Sequence, residues 1–192
     1  RVPRPDLTVA IGTPNACSGC HAERGTEWAV EAAAKWWGTA KSSLPHYGEV
    51  IDAGRKRKAG AGAGLVKLIG DATQPAIVRA SAVELLAENS ASAGDVVAAL
   101  EGAARDADPQ VRAAAAREMA RVGEAAIVVR VCAPLLGDPV RQVRMDAARA
   151  MAKAPADAMT LEQQAARARG LEEYRSAEMT NADRGESHLN LG

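Results

Sequence analysis

Three stretches decide the fold: QPAIVRASAVELLA (74–87), DPQVRAAAAREMA (108–120) and DPVRQVRMDAARAMA (138–152). A Val-Arg pair recurs in each, at Val78-Arg79, Val111-Arg112 and Val143-Arg144. Each copy opens on a polar residue followed by Pro: Gln74-Pro75, Asp108-Pro109 and Asp138-Pro139. Asp before Pro reads as an N-cap followed by the first helical position, so each copy is expected to start a helix in the same way. Between the copies lie shorter apolar stretches, around Leu65–Ile69, Val96–Leu100 and Ile127–Leu136. Two helices per repeat of about 32 residues describe an α-solenoid.

Composition agrees. Apolar residues make up 47% of the 192, yet there is no Phe, aromatics total only 3%, and alanine supplies nearly a quarter. Alanine is the best helix former, and its small side chain lets helices approach closely. β-Sandwiches and barrels want β-branched and aromatic residues instead. The expected fold class is all-α. Val78, Val111, Val143, Met119 and Met151 should be buried between neighbouring repeats, and Cys132 should be a buried structural thiol.

The stretch 65–156 resembles three HEAT repeats of the short, alanine-rich kind. That resemblance implies that Arg79, Arg112 and Arg144 are structural, pairing with acidic groups of the same or a neighbouring repeat; Asp71, Asp106 and Asp138 are the candidates.

Outward from the repeats the chain changes character. Residues 55–64, RKRKAGAGAG, read as a basic helix end followed by a weak Gly/Ala boundary. Residues 157–192 hold a long helix over Leu161–Met179. There His188-Leu-Asn-Leu-Gly192 is similar to the opening of a tetratricopeptide repeat, with His in place of Trp. An array continuing past residue 192 is the expectation.

Residues 1–54 carry all three Trp and the motif with chemistry, Cys17-Ser-Gly-Cys20-His21. C-x-x-C-H is the attachment motif for c-type haem. Two thiols one helical turn apart reach the two vinyl groups at one porphyrin edge, and the adjacent His becomes the proximal iron ligand. An accidental CxxCH string is expected in roughly one chain in a thousand of this composition. Zinc would need a second ligand pair at suitable spacing, and none follows. A thioredoxin-like pair would need a βαβ context, which an alanine-rich helical chain lacks.

Around the motif, a helix is expected from Thr26 to Trp37, with Thr26 as cap and Trp28, Ala32 and Trp36 on one face. Trp28, Trp36 and Tyr47 offer flat apolar surface suited to a porphyrin; the competing reading packs the tryptophans onto the solenoid. The five Met lie far along the chain, so His46, 25 residues after His21, is the candidate for the second axial position, on this haem or on another.

Thr13-Pro-Asn-Ala-Cys-Ser-Gly-Cys-His21, the segment from Glu27-Trp28 through Trp36-Trp37-Gly38, and Pro45-His46 together resemble the last haem site of bacterial multihaem c-type cytochromes. In those proteins the site is followed by HEAT-like and tetratricopeptide repeats. The resemblance implies one covalent haem c per chain, held by Cys17, Cys20 and His21, with further haems on an upstream region. It also implies a periplasmic or otherwise extracytoplasmic location and a redox protein or larger electron-transfer complex as partner. An export signal is then expected to have been removed, or to lie outside these residues. Lys+Arg and Asp+Glu both number 24, and zero net charge gives no footprint for nucleic acid; no apolar run reaches the ~18 residues of a membrane span. No Ser/His/Asp arrangement or phosphate loop points to a substrate site. Electron transfer with a docking scaffold is thus the leading expectation, ahead of a haem enzyme of the reductase or oxidase sort and of a haem-free interaction scaffold.

Overall fold

The computed structural model describes residues 3–40, 45–90 and 92–191, and among them there are twelve α-helices and no strand. The N-terminal module holds α1 (Pro5–Ile11), α2 (Ala16–Cys20) and α3 (Gly25–Trp37). Then come α4 (Tyr47–Arg55), α5 (Ala61–Gly70), α6 (Ala76–Leu86), α7 (Ala93–Ala103), α8 (Pro109–Val122), α9 (Ala125–Cys132) and α10 (Arg141–Ala150). The chain closes with α11 (Leu161–Met179) and α12 (Gly185–Leu191).

Helices α6, α8, α10 and α11 stack in series, while α5, α7 and α9 form the other layer. The alanine run explains how α8 fits between α6 and α10. Ala113, Ala114, Ala115 and Ala116 are all buried, so over this one turn almost the whole circumference of α8 carries nothing longer than a methyl. Larger residues fill the seams: Val83, Leu86, Val111, Met119, Val143 and Met151 are fully buried, as is Cys132, and Val78 is buried as expected. The same economy seats α11, where a Cβ at Gly170 would lie 2.7 Å from the Ala148 methyl.

The three arginines form a ladder directed forward along the chain. Arg79 donates through Nη1 to the Asp106 carboxylate. Arg112 grips Asp138 with two bonds, Nε to Oδ2 at 2.7 Å and Nη2 to Oδ1 at 3.0 Å. Arg144 grips Glu173 of α11 in the same way, Nε to Oε2 at 3.1 Å and Nη2 to Oε1 at 2.8 Å. Meanwhile the Nη1 groups of Arg112 and Arg144 each donate to two backbone carbonyls, five and six residues earlier. Asp71 is not a rung. It accepts from the Thr73 amide and hydroxyl and from the Gln74 side chain, turning the loop before α6.

Helix starts are less uniform than the Pro spacing predicts. Asp108 caps α8, accepting from the Gln110 amide at 2.9 Å, with Pro109 at the first position. In the third copy Asp138 is the counterpart of Asp106 rather than of Asp108. It holds Arg112 and accepts from Val140 N–H, as Asp106 holds Arg79 and accepts from Asp108 N–H. Helix α10 therefore begins at Arg141, three residues before its Arg as α8 does. In the first copy Pro75 itself is the cap and no side chain serves. The Gly/Ala stretch is also more than a boundary: it forms the first turn of α5 with Ala61 and Gly62 buried, because a Cβ at Gly62 would lie 2.5 Å from the Asn89 carbonyl oxygen. Helix α3 starts at Gly25 rather than behind a Thr26 cap, and the third apolar stretch passes from α9 into a 3₁₀ turn over Ala133–Gly137.

Candidate functional site

Asn15 builds the CxxCH turn. Its Oδ1 accepts from the Ser18 amide at 3.0 Å, capping α2, and its Nδ2 donates to Thr8 Oγ1 at 2.9 Å, tying that turn to α1. Helix α2 then places Cys17 and Cys20 one turn apart. Both thiols are unpaired, Cys17 half-buried and Cys20 exposed. The His21 amide closes the turn onto the Cys17 carbonyl at 2.9 Å, leaving the imidazole outside the helix and exposed.

That imidazole lies against Trp28, with ring centroids 4.8 Å apart and planes tilted by 55°. The Arg24 guanidinium carbon sits 4.9 Å from the centroid of the same indole. Gly25, at φ +76°, makes the sharp turn that brings the start of α3 back beneath the motif. The buried contact of α3 is Ala29, not the Trp face, and α3 packs on α1. Trp36 and Trp37 are 60% and 50% exposed and meet edge-on at 5.4 Å, so neither is held by packing onto the repeats.

His46 caps α4. Its Nδ1 accepts from the Gly48 amide at 3.0 Å, and its own N–H donates to Glu49 Oε1 at 3.3 Å, completing a capping box. Its ring lies 4.2 Å from that of Tyr47. Tyr47 also lines a cavity of about 490 Å³ shared with Ile11, Pro14, Ile51, Arg55 and Ile77, where the N-terminal module meets α4 and α6.

The expected site residues thus fall into three groups: Cys17, Cys20 and His21 with Trp28; His46 with Tyr47; and Trp36 with Trp37. Among the described residues no hydrogen bond or ring contact links one group to another. Nor do they gather three or more His, Cys, Asp or Glu side chains as a metal cage. Two contributors escaped the reading of the sequence, Asn15 and Arg24. Asn three residues before Ser18 is a legible cap signal; the cation over Trp28 follows only from the turn at Gly25.

Cys132 stands apart. It is fully buried in the repeat core, and burial pushes its thiol up to about 12. No described helix is long and apolar enough to cross a membrane.

No curated protein and no solved structure matches the chain. Residues 62–152, from the first turn of α5 to just beyond α10, match the family of HEAT repeats.

Proposed function

We propose that the chain is a c-type cytochrome module for electron transfer, built on a HEAT-repeat scaffold that docks it to a redox protein. The HEAT match supports the scaffold half of this reading, since stacked helix pairs present extended surfaces used for protein interaction. The observation that carries the other half is the capped α2 turn, with two unpaired thiols one turn apart and an exposed imidazole directly after them. These residues fit a haem c: Cys17 and Cys20 would hold it as thioethers, and His21 would be its proximal ligand. When bound, the group supplies a one-electron iron couple whose potential is set by ligands and surroundings. Covalent haem attachment goes with an extracytoplasmic location, which is part of the proposal.

His46 is the proposed distal ligand, and its position makes a chemical demand. With Nδ1 accepting from Gly48, the neutral ring carries its proton on Nε2. Were His46 to hold iron through Nε2, its proton would have to sit on Nδ1, where it would face the Gly48 N–H, so ligand and cap roles exclude one another. A haem-free HEAT scaffold is the second reading, favoured by the family match standing alone.

Coordination tests the reading. A reduced-minus-oxidised spectrum of the full chain, made alongside a haem maturation system, should show a six-coordinate low-spin haem c that loses its sixth ligand in His46→Ala. High-spin iron that binds small ligands in the unsubstituted chain would favour a haem enzyme, and absence of haem would leave the scaffold alone.

A further inference from the structure

The geometry points to Trp28 as the positioning residue for the proximal histidine: its indole holds the His21 imidazole in one orientation, with Arg24 stacked on the same indole. This inference rests on the haem reading above. It assigns Trp28 a different role from an outer cover for the porphyrin.

His21 follows the last residue of α2, so the helix fixes its backbone but not its ring. Among the described residues the ring makes no hydrogen bond; it lies against the indole at 4.8 Å, tilted by 55°. Ring pairs at that separation and tilt attract one another beyond their burial, which favours one rotamer of an exposed ring. The residues that orient a ligating histidine govern how it binds its metal, and that partner is usually a hydrogen-bond acceptor. Here an indole face takes its place.

Trp28 is itself held. Ala29, the next residue, is buried and anchors this turn of α3 on α1. Arg24 covers the indole at 4.9 Å, a cation–π contact at ordinary range. The spacing 21, 24, 28 is brought together by Gly25, at positive φ, at the joint between a 3₁₀ turn over Ala22–Arg24 and α3. Arg24 is 55% exposed and its Nε also lies 3.7 Å from Glu23 Oε1, so the positive charge it brings near His21 is partly offset; what remains would favour the reduced, less positive iron.

Two measurements on the full chain test this. In the haem-free protein, NMR should show Overhauser contacts between the His21 ring protons and the indole of Trp28, with His21 ring signals displaced upfield. Those signals should return to free-histidine positions in Trp28→Leu and stay displaced in Trp28→Phe. In the haem-loaded protein, Trp28→Leu should broaden or split the low-spin electron paramagnetic resonance signal as the imidazole plane loses its fixed angle. Trp28→Phe should preserve that signal, and Arg24→Gln should lower the midpoint potential. A missing Overhauser contact in the unsubstituted chain, or identical resonance signals in Trp28→Leu, overturns the inference while leaving the haem reading intact. A chain that takes up no haem at all overturns the haem reading first.

Discussion

Three cysteines in one chain have opposite chemistry, and burial decides which is which. Cys132 lies at zero exposure in the repeat core, where desolvation of the thiolate raises its pKa to about 12. In the unfolded chain the thiol ionises near its ordinary value of 9.0. The folded state therefore binds the extra proton above that value, and stability falls as pH rises from about 9 towards 12. Cys17 and Cys20 sit at an accessible turn. At pH 8, iodoacetamide is expected to label both in the haem-free native protein and to reach Cys132 only after denaturant, with peptide mass mapping as the readout. Labelling of native Cys132 at the same rate would refute its burial. The buried apolar set and this thiol were legible in the sequence, since period and residue type carry that information. The ring contact of His21 with Trp28 was not, because it depends on the φ of Gly25.

Between elements, the arginine ladder is the feature that converts a repeated dipeptide into a stack. Arg112 and Asp138 have side chains only 14% and 6% exposed, and the pair is two-pronged. Removing one partner leaves the other charge buried, so Arg112→Ala is expected to cost about 3 kcal/mol in urea unfolding. Arg57 and Glu88 are a contrasting pair, 68% and 43% exposed; Arg57→Ala should change stability by less than about 0.5 kcal/mol. A larger loss at Arg57 than at Arg112 would contradict the ladder's role. Burial opposes the charge on Asp138, but the Arg112 bond and the Val140 amide outweigh it and hold the carboxyl below the usual range. That contribution is full above the ordinary carboxylate pKa and is lost as pH falls through the lower folded value. Asp138→Asn should accordingly flatten the acid limb of the stability curve. The Val-Arg repeat pointed to structural arginines, but the partner of Arg144 was hidden. Glu173 lies on a helix outside the repeat pattern, and only the seating of α11 against α10 brings it there. Helix starts were hidden because Pro139 does not stand where Pro109 does. Asp138 matches Asp106, each binding the preceding repeat's Arg while accepting the amide two residues on, so the cap position falls at Val140.

Across the whole molecule, apolar burial is uneven. The repeats share one continuous core from Ile51 to Met159, whereas among the described residues before residue 40 the buried apolar side chains are Pro5, Leu7 and Ala29. The N-terminal module should open at lower free energy than the repeats. All three tryptophans lie in that module, so fluorescence reports it selectively while helical circular dichroism reports mainly the repeats. In the haem-free chain the fluorescence midpoint in urea is expected below the dichroism midpoint; coincident transitions would instead mean one cooperative unit.

Attachment of the haem is the claim on which the functional reading stands, and the intact mass of the purified chain tests it most directly. Produced with a c-type haem maturation system and then denatured in acid, the protein should retain a mass increase of one haem. The increase should disappear in the Cys17→Ser, Cys20→Ser double variant. An unsubstituted chain at its bare polypeptide mass under those conditions would contradict the cytochrome reading and leave a HEAT-repeat scaffold.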